Sequence, residues 1–179
     1  MKKTLLYILL CIFFVSCKTK DITTGPIADH AMVVSAREEA SRIGLEVLKK
    51  GGNAFDAMIA TKFALAVCFP FAGNIGGGGF MVYRLYDGTS GTLDFREKAP
   101  LAATKQMYLD SLGNVIEGKS TTGATAVGVP GSVAGMFAAH KKFGTLPMSS
   151  LIQPAIDLAK KGVVVTDKQA NSLQHYRDK

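Results

Sequence analysis

Arg96 stands where a side chain could grip a ligand. In Thr92 to Glu97, strand alternation sends Leu93 and Phe95 to one face and Thr92, Asp94 and Arg96 to the other. Four consecutive glycines, Gly76 to Gly79, precede the apolar run that would pair with this strand. A guanidinium held beside such a loop offers a rigid fork of donors for a carboxylate. The same residues also allow a purely structural ion pair, Asp94–Arg96 or Arg96–Glu97, and the pattern alone leaves both readings open.

Other chemistries fit less well. A phosphate loop needs Gly-Lys-Ser/Thr, and a dinucleotide fingerprint needs a helix, directly after its glycines. Here Phe80-Met81-Val82 leads into a strand. Four glycines in a row point instead to another backbone, or a substrate, passing very close. His30, His140 and His175 are scattered, with no Cys or carboxylate cluster near them, so neither a metal nor a cofactor is expected. His140, next to Lys141, reads as a solvated surface histidine. Gly131-Ser132-Val133-Ala134-Gly135 lacks the spacing of a nucleophile elbow, and Ser132 reads as a helix cap. Cys68, in Ala66-Val67-Cys68-Phe69, reads as a small buried hydrophobe.

The elements that must position Arg96 follow from periodicity and caps. A short strand is expected over Ala31 to Ala36. Ser35 with Glu38 has the form of a capping box opening a helix. Ala40, Ile43, Gly44, Val47 and Leu48 fall on its inner face, while Glu38, Arg42, Glu46 and Lys50 alternate in sign on another. Asn53 caps a second helix, which Pro70 stops. From Ala54 to Phe69 only Asp56, Thr61 and Lys62 are not apolar, so this helix is expected between layers. A hairpin follows, Phe80 to Tyr86 and Thr92 to Glu97, with its first strand covered on both faces. Beyond it come a short helix near Thr104 to Leu109, a strand at Ala126 to Val129 and a helix over Ser132 to Phe143. Met148 to Ile152 reads as a turn of helix, and Pro154 as the start of a separate helix ending at Lys161. Thr166 and Gln169 form a second capping box opening a last helix.

Composition excludes disorder, collagen and coiled coil: 47% of residues are hydrophobic, only 20% are charged, and the 19 Gly follow no period. The formal charge of +7 does not imply nucleic acid. Three lysine pairs, at 49/50, 141/142 and 160/161, sit at helix ends ahead of Gly51, Gly144 and Gly162, where cations complement the helix dipole and Gly forms a left-handed cap.

The first segment reads as an address. Lys2 and Lys3 precede an apolar run of 11 residues, Leu5 to Val15, where a membrane span needs roughly 20. Ser16-Cys17 at its end resembles a lipobox. Residues 1–16 are therefore expected to be an export signal, Cys17 the lipidated first residue, and 17–30 a tether. The mature protein is expected outside the cytoplasm, in the periplasm or on the outer surface, held to a membrane by Cys17. Loss of Lys2 and Lys3 lowers the formal charge from +7 to +5. Cys68 then has no thiol to pair with, so no internal disulfide is expected.

A series of motifs in one order carries a resemblance: "MVVSAREEASRIGLEVLKKGGNAFDAMIATKFALAV", "GNIGGGGFMVY", "LDFREKAP", "AVGVPGSVAGM", "KKFGTLP" and "LIQPAIDLAKKG". It resembles the N-terminal part of the large subunit of γ-glutamyltransferases, also called glutathione hydrolases, over residues 31–179. The resemblance implies an α+β fold, part of the four-layer αββα sandwich of the N-terminal-nucleophile hydrolases. It implies a precursor that cleaves itself, and a small-subunit Thr that attacks the γ-glutamyl carbonyl with its own α-amine as base. Glutathione and related γ-glutamyl compounds are the implied donors, with water, amino acids or peptides as acceptors. The "DFRE" arginine, which binds the donor α-carboxylate, corresponds to Arg96; Asp94 and Glu97 would orient it. The family's nucleophile lies far downstream of these motifs, so the 179 residues are expected to be an N-terminal fragment, inactive alone. Enzymes of the same fold that process poly-γ-glutamate or β-lactam side chains, and a non-catalytic lipoprotein binding module, are the rival readings.

Overall fold

A computed structural model of the chain describes residues 25–177. The expected export signal, Cys17 and most of the tether lie outside the described residues. Residues 25–31 carry no helix or strand, and a compact unit begins at Met32. Its elements are α1 (Glu38–Lys49), α2 (Ala54–Cys68), β1 (Phe80–Arg84), β2 (Ser90–Asp94), a 3-10 turn (Ala124–Ala126), α3 (Ser132–Phe143), α4 (Met148–Lys161) and α5 (Asp167–Tyr176). This is a small α+β unit.

α2 is the centre, packed against α1, α3 and α4. Its apolar composition is used on several sides: Ala57, Ile59 and Ala60 join Val47, Met136, Ala139 and Leu151, while Ala64 and Cys68 meet Ala40. Ile59 and Leu151 are fully buried, each contributing about 1.5–3 kcal/mol of transfer free energy. Cys68 is buried too, and burial pushes its thiol above the ordinary value. At the start of α2, Asn53 Oδ1 accepts the N–H groups of Phe55 and Asp56, as expected of a cap, and Asp56 accepts that of Asn53, which completes a capping box. The Asp56 carboxylate is itself fully buried and also receives the N–H and hydroxyl of Thr145, tying α2 to the α3–α4 turn.

Several expectations are corrected. No strand forms over Ala31–Ala36, because the sheet of the described residues is the β1–β2 hairpin and no strand lies alongside; Val33 still packs on the core. The Ser35–Glu38 capping box is absent: Ser35 Oγ turns to Arg37 O and Ser41 Oγ, and Arg37 occupies the N-cap. Thr104 to Leu109 makes successive turns rather than a helix. Just beyond, the Asp110 carboxylate accepts the N–H groups of Leu112 and Asn114, competing with helical hydrogen bonding. In place of a strand at Ala126–Val129, the 3-10 turn is followed by a single bridge, Lys98 to Val129. Pro154 lies inside one continuous α4. Leu151 and Ala155, one turn apart and both buried, hold the helix through a residue that costs an interior helix about 3 kcal/mol. Ser132 is not the cap of α3, since Gly131 holds that place. His140 is half-buried, its Nε2 2.7 Å from Leu146 O, rather than solvated. Gly51 and Gly162 close their helices at φ +89° and +84°, but Gly144 does so at −65°, without the left-handed turn.

α5 opens with the expected Thr166–Gln169 box. It is bound to the rest through Arg37, which donates to Glu39, Gln169 Oε1 and Val164 O, while Gln169 Nε2 donates to Cys68 O.

The hairpin pairs Phe80 with Asp94 and Met81 with Leu93. Its turn, with Gly88 at φ +88°, comes earlier than expected, so both strands end sooner. Met81, Leu93 and Phe95 face the helical core. Phe80 and Val82 remain 65% and 80% exposed. The expected covering of β1 on both faces is therefore absent among the described residues, because the helices pack against one face only.

Candidate functional site

The glycine loop is held at both ends. Asn74 Oδ1 accepts the N–H of Gly77, and Gly77 O accepts those of Gly131 and Ser132 at 2.9 and 2.8 Å. These bonds occupy the first donors of α3 without any side-chain cap. Ser132 is itself buried, and its hydroxyl has no hydrogen-bond partner among the described residues. Gly79 and Phe95 exchange backbone hydrogen bonds, 3.0 and 3.3 Å, which carry the ladder one step past Phe80 and Asp94.

None of Gly76 to Gly79 has a positive φ, so space rather than backbone freedom requires glycine here. A Cβ on Gly78 would lie 2.7 Å from both Phe95 O and Glu97 N, and 2.8 Å from Arg96 Cα. The backbone expected to pass close to the glycines is that of residues 95–97.

Arg96 thus lies two residues past the end of β2, on a segment pinned beneath by the glycines. Its backbone N–H donates to Asp94 Oδ1 at 2.9 Å, and its Nε to Glu97 Oε2 at 2.9 Å. The guanidinium carbon is 5.7 Å from the Phe80 ring centre, within cation–π range. Of the two structural pairs the sequence left open, the Arg96–Glu97 pair forms. Asp94 instead fixes the Arg96 backbone. The Glu97 carboxyl is held below its ordinary value by its own backbone N–H, which together with the Arg96 charge outweighs the opposing effect of burial.

The pair with Glu97 engages Nε only. Nη1 and Nη2 have no acceptor among the described residues, and the side chain is 59% exposed. The outer edge of the fork is therefore free while Glu97 holds its inner edge. Such an arrangement suits bidentate capture of a carboxylate. Arg96 and Asp94, with Leu93, Lys98, Val129 and Ala134, line a cavity of about 320 Å³. Sequence reasoning singled out Arg96, Asp94 and Glu97 but not the close packing of Phe95 against Gly79 and Gly135. The alternation of Leu93 and Phe95 hinted at its direction, whereas its neighbours on α3 come from a distant segment.

Comparison with known proteins gives concordant matches. A family model described as gamma-glutamyltranspeptidase matches residues 40–179. The glutathione hydrolase proenzyme of Pseudomonas sp. (strain A14) is 59% identical over 146 residues, covering 82% of this chain and 25% of that protein. The crystal structure of Helicobacter pylori gamma-glutamyltranspeptidase superimposes with a TM-score of 0.82 at 51% identity, over 87% of this chain and 44% of that one. The Pseudomonas nitroreducens gamma-glutamyltranspeptidase complexed with L-DON gives 0.77 at 50% identity, over 83% and 44%. The chain spans about a quarter of the length of the curated relatives it matches.

Proposed function

Because this chain belongs to the gamma-glutamyltranspeptidase family, we propose that it supplies the donor-carboxylate side of an enzyme that cleaves glutathione and other γ-glutamyl compounds. The observation that carries the reading is the free outer edge of Arg96, held over the glycine loop by Glu97 and by its own backbone. In this reading the α-carboxylate of the γ-glutamyl group binds Nη1 and Nη2. That contact fixes one end of the donor and so places its γ-carbonyl at a set distance.

The nucleophile is a Thr outside these 179 residues, at the N-terminus of a small subunit cut from the same precursor. Its hydroxyl adds to the γ-carbonyl while its α-amine takes the hydroxyl proton. The amide C–N bond then breaks, the leaving amine receives that proton, and a γ-glutamyl ester remains. Water or the amine of an amino acid or peptide takes the group and releases the Thr. The assembled enzyme is the αββα sandwich, of which this chain contributes helices and one hairpin.

The chain alone is expected to release no glutamate from glutathione, whereas the complete processed precursor does so. Glutathione is expected to be a better donor than poly-γ-glutamate. Faster turnover of the polymer would replace this reading with the capsule-processing one. The protein is also proposed to be exported and anchored through lipidated Cys17, on the strength of the apolar run ending at Ser16-Cys17. Cys17→Ala should move it from the membrane pellet to the soluble fraction; an unchanged pellet fraction would rule the anchor out.

A further inference from the structure

The glycines that crowd Arg96 do not all come from the loop before β1. Phe95 is enclosed by four of them, two from each of two distant segments. A Cβ on Gly79 would lie 2.9 Å from Phe95 Cε2, and one on Gly135, in α3, would collide with Phe95 Cγ. On the backbone side, a Cβ on Gly78 would lie 2.7 Å from Phe95 O, and one on Gly131 would collide with the same oxygen. None of the four has a positive φ, so each is required for room. The ring cannot move toward α3, and the peptide behind it cannot withdraw from the ring. The next residue along that peptide is Arg96.

We infer that Phe95 is a positioning residue, wedged between β1 and α3 so that the 95–97 segment and the Arg96 guanidinium keep one direction. The inference rests on the donor-carboxylate role proposed for Arg96. It extends that site to Gly131 and Gly135, whose close approaches are to Phe95 and the backbone of residues 95–96. Alanine at 135 would favour a free helix, so any loss in Gly135→Ala reports the collision with the ring.

The test uses the complete processed enzyme and two donors: a γ-glutamyl amide, and the γ-aminobutyryl amide that keeps the amine and lacks the α-carboxylate. Gly135→Ala is expected to raise KM for the first donor by about tenfold, a small misplacement being enough for that. kcat is expected to stay within about twofold, as for a loss of ground-state binding. KM for the γ-aminobutyryl amide should not change, because that donor has nothing for Arg96 to hold. A merely structural defect would move both donors together, and that result overturns the inference, as does no change with either donor. If Gly135→Ala fails to mature, Phe95→Leu alone decides: it loosens the wedge and should show the same donor-selective rise, and its failure to do so sinks the idea. Unchanged KM in Arg96→Ala would instead remove the underlying functional reading. A raised KM in Arg96→Ala with normal KM in Gly135→Ala and Phe95→Leu removes only the wedge.

Discussion

Arg96→Ala, made in the complete processed protein, is expected to raise KM for glutathione and related γ-glutamyl donors by roughly 30-fold or more, corresponding to the 2–5 kcal/mol lost when one partner of a charge pair desolvated by binding is truncated. The reasoning starts from geometry. Glu97 already satisfies Nε, and the segment carrying Arg96 cannot retreat past Gly78. The Nη edge is thus offered to a ligand with little left to organise. Arg96→Lys should fall between wild type and Ala, because an ammonium keeps the charge but loses the planar fork. Steady-state kinetics with a γ-glutamyl amide reads the effect. An unchanged KM in Arg96→Ala would take the guanidinium out of the donor site.

The second large effect concerns stability. Asp56 is fully buried, and no cation among the described residues forms an ion pair with it. Burial works to raise its pKa, but the hydrogen bonds of Thr145 Oγ and of the Asn53, Thr145 and Leu146 N–H groups prevail and hold it below the ordinary carboxylate value. Asp56→Asn replaces a pure acceptor by a group that must point donors at donors. A loss of about 2–3 kcal/mol is expected, from the capping box and the strained buried contacts together. The pH dependence follows from the direction of the shift. A carboxyl with a depressed folded pKa stabilises the fold fully above its unfolded value, and loses that contribution as pH falls through the folded value. The gap between wild type and Asp56→Asn in thermal unfolding should therefore be widest near neutrality and narrow in acid. A gap independent of pH would mean that the ionised form of Asp56 is not what the buried donors hold.

These two residues also show what could be read from the sequence. Asn53 and Asp56 lie three positions apart, so the cap and the helix it starts were legible, as were α3 and the Thr166 box. The partner of Asp56 was not, because Thr145 lies 89 residues away and nothing local marks it. Arg37 is a similar case, since its contact with Gln169 spans 132 residues. Arg96 was legible because strand alternation and a glycine run are local signals. The strand ends were misplaced because the tight turn at Gly88 closes the hairpin two residues early, which leaves Arg96 beyond the ladder's named end. Pro154 was misjudged because its local preference for a first turn yielded to the burial of Leu151 and Ala155. The functional resemblance rested on motif order and agrees with the family found by comparison. The packing of Phe95 against Gly79 and Gly135 was not legible, because it joins two distant segments that no local pattern marks.

The bare flank at Phe80 and Val82 bears on how the polypeptide matures. Helices α1 and α2 meet as neighbours along the chain and can settle early during synthesis, whereas α3 and α4 reach α2 only after the ribbon has been made. A two-stranded ribbon is marginal by itself, and apolar residues on its open side attract strands from any source. In the assembly proposed above, the rest of the precursor must cover the ribbon before a foreign chain reaches it. Withdrawing holdase chaperones should divert the product into aggregates while leaving the α1–α2 pair formed.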